Sequence, residues 1–121
     1  MNPSPPTLNL LVIRSADIQA AANFYRALGL DFVLEAHGKG PKHYAANTHG
    51  VVFEIYPQNP KASPTTSVRL GFQVTSIQDT VQALANLGAK VLKPPHTSPW
   101  GTRAVLKDPD GHTVELLQAQ N

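Results

Sequence analysis

The feature that most constrains this chain is an internal repeat. Leu10–Ile18 leads into a helical run that closes at Leu28-Gly29, and Arg69–Ile77 leads into a second that closes at Leu87-Gly88. Ile18 and Ile77, Leu28 and Leu87, and Gly29 and Gly88 each stand 59 residues apart. A half-domain used twice limits the fold to two similar units. A ligand then belongs between them, and residues at equivalent places in the two copies become the ones to read.

Each copy reads as a strand, a helix and three further strands. In the first copy residues 8–14 alternate as a strand, and Ser15 or Asp17 can cap the helix that follows. Ile18, Ala21, Ala22, Tyr25 and Leu28 recur at helical spacing, and Gly29 stands where a helix-ending glycine belongs. Leu30–Leu34, His43–Asn47 and Val51–Tyr56 read as strands, with His37–Lys42 as a loop. A proline-rich linker over residues 58–67 separates the copies. The second copy opens with a strand at Val68–Val74. Thr75 or Ser76 caps a helix carrying Ile77, Val81, Leu84 and Leu87. Lys90–Leu92 reads as a strand, and Lys93–Gly101, with three prolines and the only tryptophan, as a loop. Thr102–Leu106 and His112–Leu117 form a hairpin across Asp108-Pro-Asp-Gly111, a strong turn sequence. The expected fold class is α+β. One domain spans 1–121, with repeat one over about 8–57 and repeat two over about 68–118, and the order in each is βαβββ.

Composition excludes several classes. The 121 residues suffice for one domain with a real core. With no cysteine, neither disulfides nor a thiolate metal centre is available, which fits a reducing cytoplasm. Met-Asn-Pro-Ser-Pro-Pro lacks the basic start and apolar stretch of a signal peptide. No apolar run approaches the ~20 residues that span a bilayer. Net charge is only +2 and the basic residues are scattered, so neither a nucleic-acid footprint nor a membrane partner is expected.

The repeat order resembles the vicinal oxygen chelate superfamily of glyoxalases, extradiol dioxygenases, fosfomycin-resistance transferases and bleomycin-resistance proteins. Asp17-Ile18 with Phe24-Tyr25-x-x-Leu-Gly-Leu30 is similar to that family's first helix and its exit. Asp108-Pro-Asp-Gly-His-Thr-Val-Glu-Leu116 is similar to its closing hairpin. The likeness covers residues 8–118. It implies curved mixed sheets with helices on the convex side and ligand in the concavity. It also implies a homodimer, as small members commonly pair.

Strand alternation then orients the side chains. Leu11, Ile13, Leu70, Phe72 and Val74 should face the helices. Leu10, Val12, Arg14, Glu54, Tyr56, Arg69, Gln73 and Glu115 should line a common concavity. By the resemblance, a metal-dependent member would place its four ligands at Leu10, Glu54, Arg69 and Glu115. Leucine has no lone pair, and arginine stays protonated and repels a cation. No metal and no other cofactor is therefore expected. Arg69 is expected within hydrogen-bonding reach of Glu54, Glu115 or both, where it could bridge the two acids; the alternatives are solvent or an anionic ligand. His43, at the start of a strand, is a candidate ligand contact, and joined to Glu54 and Glu115 it would make a three-ligand site. His49, His96, His112 and Arg103 read as surface residues, and Asp108 and Asp110 as turn formers. Trp100 is either a packing or dimer contact or a ring on which ligand stacks.

The function these residues support is binding of a small anionic or carbonyl-bearing molecule in a metal-free concave pocket. The alternative is a glyoxalase- or dioxygenase-like lyase, isomerase or oxygenase, either with a non-standard ligand set or metal-free with Glu54 or Glu115 as general base. A mildly basic chain is a poor match for a cationic glycopeptide drug.

Overall fold

A computed structural model describes residues 4–120. The element order is β1 (Leu10–Ser15), α1 (Ile18–Leu28), β2 (Val33–Glu35), β3 (His43–Thr48), β4 (Val51–Pro57), β5 (Arg69–Gln73), α2 (Ile77–Asn86), β6 (Lys90–Ser98), β7 (Gly101–Lys107) and β8 (Thr113–Ala119). The two copies give two four-stranded mixed sheets, β1-β4-β3-β2 and β5-β8-β7-β6. In each, the opening strand pairs parallel with the closing one, and the remaining pairs are antiparallel. No helix among the described residues is long and apolar enough to cross a membrane.

Helix ends follow local chemistry in α1 and tertiary chemistry in α2. The Asp17 carboxylate accepts the Ala20 N–H at 3.1 Å, satisfying one of the orphan amides of the first turn. Gly29, at φ 123°, closes the helix by donating to Tyr25 and Arg26 carbonyls. At α2, Ser76 holds the N-cap position without a side-chain cap bond. The side chain of Gln118, from β8, accepts the Ile77 N–H at 2.8 Å instead.

Three strand expectations need correction. β2 is confined to Val33–Glu35, because only this stretch pairs with β3. β5 is shorter at both ends than Val68–Val74. The expected loop over Lys93–Gly101 is instead mostly strand, with β6 continuing to Ser98. Pro94 and Pro95 are tolerated because β6 is an edge strand and its register shifts between Val91 and Lys93 and again between Lys93 and His96. Such irregularities accommodate residues that cannot donate to a ladder. The tight return into β7 depends on Gly101, whose φ is 135° and where a Cβ would lie 2.3 Å from the Gln118 carbonyl oxygen.

The apolar positions meet in one core drawn from both copies. Ile13, Phe53, Ile55, Leu70, Val114 and Leu116 come from the helix-facing sides of the sheets, and Ala21, Ala22, Phe24, Tyr25, Ile77 and Leu84 from the helices. Leu11, Phe72 and Val74 pack against this core. The two copies touch through α1 against α2 and through Phe53, which stacks near Phe72 at 6.2 Å. Among the described residues, no strand of one sheet lies alongside a strand of the other. The faces turned away from the helices remain two separate surfaces.

Candidate functional site

The open face of the second sheet carries a hollow of about 500 Å³. Register explains its lining. Gly71 pairs with Glu115 and Gln73 with Leu117 across β5 and β8, and Leu117 pairs with Arg103 across β8 and β7. Paired residues share a face, so these side chains surround the place where Gly71 has none. A Cβ at Gly71 would meet only open space. Trp100, in the β6–β7 turn and 69% exposed, stands at the lip.

Glu115 is the electrostatic centre of this face. The Arg69 Nε donates to its Oε2 at 2.8 Å, and Arg103 lies against its Oε1. Arg103 is thus no free surface residue: β7 holds it opposite β8 and within reach of the acid. Two guanidiniums on one carboxylate leave the face with surplus positive charge. Arg69 itself is 58% exposed on its side chain, so its pairing is screened by solvent and contributes little to stability.

The expected bridge reaches only one acid. Glu54 does not meet Arg69. It lies on the first sheet beside His43, whose Nε2 is 3.4 Å from Glu54 Oε2. His43 is buried and stacks on Tyr56 with centroids 4.2 Å apart and planes 7° from parallel. Arg14 is committed elsewhere: its guanidinium donates to the Pro57 carbonyl at 3.2 Å, and its N–H to Thr65. Leu10 and Val12 are exposed on the same sheet face as Glu54 and Tyr56. Of the residues expected in one concavity, Gln73, Glu115 and Trp100 line the second-sheet hollow, and Arg69 stands beside it on Glu115. The first-sheet residues Leu10, Val12, Arg14, His43, Glu54 and Tyr56 do not line it.

The four positions that the resemblance assigns to a metal do not fit one here. Leu10 has no donor atom, and Arg69 with Arg103 already neutralises Glu115. Glu54 alone is available from that set.

Two residues read as exposed or as simple turn formers belong to the core. Asp108 and His112 are buried. Asp108 Oδ1 accepts the N–H groups of Asp110, Gly111 and His112, and its Oδ2 accepts the Tyr25 hydroxyl at 2.7 Å. His112 Nδ1 lies 2.8 Å from the same Oδ2, while its Nε2 meets Thr65 Oγ1 at 2.7 Å. Burial alone would raise the Asp108 pKa, but hydrogen bonds from His112 and Tyr25 and the charge of His112 outweigh it and hold the carboxyl below its usual range. Burial, reinforced by the Asp108 charge, pushes the Tyr25 phenol far up, so it stays a neutral donor. The network ties the linker, α1 and the closing hairpin together. Aspartate and histidine four apart was its visible signal; Tyr25 was hidden by sequence distance.

The β1-α1-β2-β3-β4 copy and its partner define two four-stranded mixed sheets with paired helices, and the second sheet carries a ligand-sized hollow on its open face. The chain belongs to the Glyoxalase/Bleomycin resistance protein/Dioxygenase superfamily, whose family model matches residues 7–116. Among solved structures it is similar to TnmS3, an antibiotic binding protein from Streptomyces sp. CB03234, with TM-score 0.78 and 20% identity over 98% of this chain and 100% of that one. It is also similar to a glyoxalase/bleomycin resistance protein from the same Streptomyces, with TM-score 0.72 and 22% identity over 93% and 100% of the two chains. TioX from Micromonospora sp. ML1 aligns at TM-score 0.72 and 18% identity, covering 95% of this chain and 100% of that one. No curated protein sequence matches the chain significantly.

Proposed function

We propose that this protein binds a small ring-bearing molecule with an anionic or carbonyl group in the hollow on the second sheet, without a metal there, and that it does so in the cytoplasm. The observation that carries this reading is the hollow over Gly71, with an exposed indole at its lip and two guanidiniums sharing one carboxylate beside it. Trp100 offers a face for stacking, Gln73 offers amide hydrogen bonds, and the surplus charge favours an oxygen-rich ligand. TnmS3, described as an antibiotic binding protein, shares the architecture and is consistent with a binding role. A catalytic reading with Glu115 as general base is disfavoured, because two guanidiniums occupy the oxygens that would take the proton.

The test uses anilinonaphthalene sulfonate as an anionic aromatic probe and the quenching of Trp100, the only tryptophan. Saturable quenching is expected. Gly71→Leu, which fills the hollow, should weaken binding at least about tenfold, equivalent to about 1.4 kcal/mol. Arg103→Ala should weaken the sulfonate more than a neutral anilinonaphthalene. Quenching untouched by Gly71→Leu would overturn the assignment.

The same reading includes a homodimer. Leu10, Val12 and Val33 are exposed on the open face of the first sheet, and the two open faces do not meet within one chain. A second copy would cover apolar surface and complete a cup. Light scattering at micromolar concentration is expected to give twice the monomer mass; monomer alone would remove this part of the proposal.

A further inference from the structure

The open face of the first sheet carries a second constellation, which the hollow beside Trp100 does not use. Glu35 pairs with His43 across β2 and β3, so their side chains share a face. The chain between them turns back at His37, where the Gly40 N–H donates to the His37 carbonyl at 2.9 Å. This brings His37 Nε2 to 2.9 Å from Glu35 Oε2, and His43 Nε2 to 3.6 Å from that same oxygen. Glu54, from β4, adds its Oε2 at 3.4 Å from His43 Nε2.

The surroundings of His43 indicate what the cluster can hold. Its Nδ1 lies 3.2 Å from the Pro41 carbonyl oxygen, which can only accept, so Nδ1 carries the proton. In the neutral ring Nε2 is then a lone pair. That atom is buried and without a hydrogen-bond partner, and it lies 3.6 Å from a Glu35 carboxylate oxygen and 3.4 Å from one of Glu54. A lone pair facing two anions needs a positive charge between them. The arrangement also matches a metal-ligating histidine, whose second nitrogen typically donates to a carbonyl. Ligand atoms around a tetrahedral ion at about 2.0–2.1 Å lie roughly 3.3 Å apart, close to the two longer separations here.

We propose that Glu35, His37 and His43, with Glu54 beside them, form a site for a divalent transition-metal ion of the zinc type. Glu35, His37 and His43 bring their ligand atoms within 4.8 Å of one another; two imidazoles with a carboxylate select borderline ions over magnesium or calcium, and Glu54 beside His43 adds a second negative charge. His37 is mostly exposed and can adjust to close the site. The three ligands are separate from the four family positions, with Glu54 as a neighbour of His43, and they lie on the first sheet, away from the proposed ligand hollow.

Calorimetric titration of chelator-treated protein with zinc tests this. One zinc per chain is expected, with no competition from magnesium. His37→Ala and Glu35→Gln should each weaken zinc at least about tenfold, since even an outer partner of a ligand is worth that much. Both positions are exposed or half-exposed, so these variants keep the fold. His96→Ala and Gly71→Leu should leave zinc affinity unchanged, which separates this site from the hollow. In nitrogen NMR the His43 Nε2 signal should shift on zinc addition. No zinc uptake by the native chain, or equal uptake by His37→Ala, would overturn the proposal. Uptake that survives His37→Ala is adventitious.

Discussion

Asp108→Ala is expected to destabilise the protein by about 3–5 kcal/mol, because the change strands a buried hydroxyl, a buried imidazole and three amides at once. The carboxylate serves all five groups from within the core. A domain of this size has only about 5–15 kcal/mol in total, so Tm should fall by roughly 10–20 °C. Asp108→Asn keeps an oxygen for the amides and should cost less. The pH dependence has a definite sign. The folded-state pKa of Asp108 is lowered, so its contribution is fully present above the unfolded value of 3.8 and is lost as pH falls through the folded value. Urea midpoints measured from pH 7 down through the acid range should drop more steeply for the native protein than for Asp108→Asn. Equal slopes would show that the carboxylate's charge does not contribute.

Phe53→Ala is expected to cost about 3–5 kcal/mol, the range for removing a buried aromatic ring and leaving its cavity. The ring is fully buried and makes edge contacts with Tyr25 at 5.0 Å and Phe32 at 5.3 Å. It also lies stacked 6.2 Å from Phe72, which belongs to the other copy. Because α1 with α2 and this aromatic group join the two sheets, the loss should fall on the docking of the copies as well as on total stability. Phe53→Leu retains most of the volume and should cost appreciably less. Denaturant unfolding followed by Trp100 fluorescence and by circular dichroism checks both points. If the copies undock first in Phe53→Ala, the two probes will separate. A loss under about 1 kcal/mol would mean the site collapses around the missing ring.

The first-sheet and second-sheet acids illustrate how much of the site was legible. Alternation placed Glu54 and Glu115 on open faces, as expected for acids set within apolar strands. Of their partners it showed one, Arg69 on Glu115, and missed Arg103 and His43. Both were assigned to Arg69 because a duplicated scaffold with one shared cup would bring them together. In the chain as folded, each acid lies on its own sheet, and each finds the base that strand pairing delivers: Arg103 from β7, and His43 from β3. Glu35 drew no notice, since its role depends on the register of a three-residue strand. His112 looked like a turn exit, yet it is sealed under Thr65 of the linker.

By itself the sequence determined the repeat, both helices with their glycine exits, the βαβββ order and the sides of β1 and β5 that feed the core. These rest on local periodicity, which a side chain's neighbours along the chain enforce. Only the tertiary structure decided that β6 runs on through Pro94 and Pro95, that Gln118 caps α2, that Tyr25 reaches Asp108, and which cation meets which acid. Those depend on contacts between residues far apart in the chain, where a shift of one register position or one bulge redirects a charged group by several ångströms.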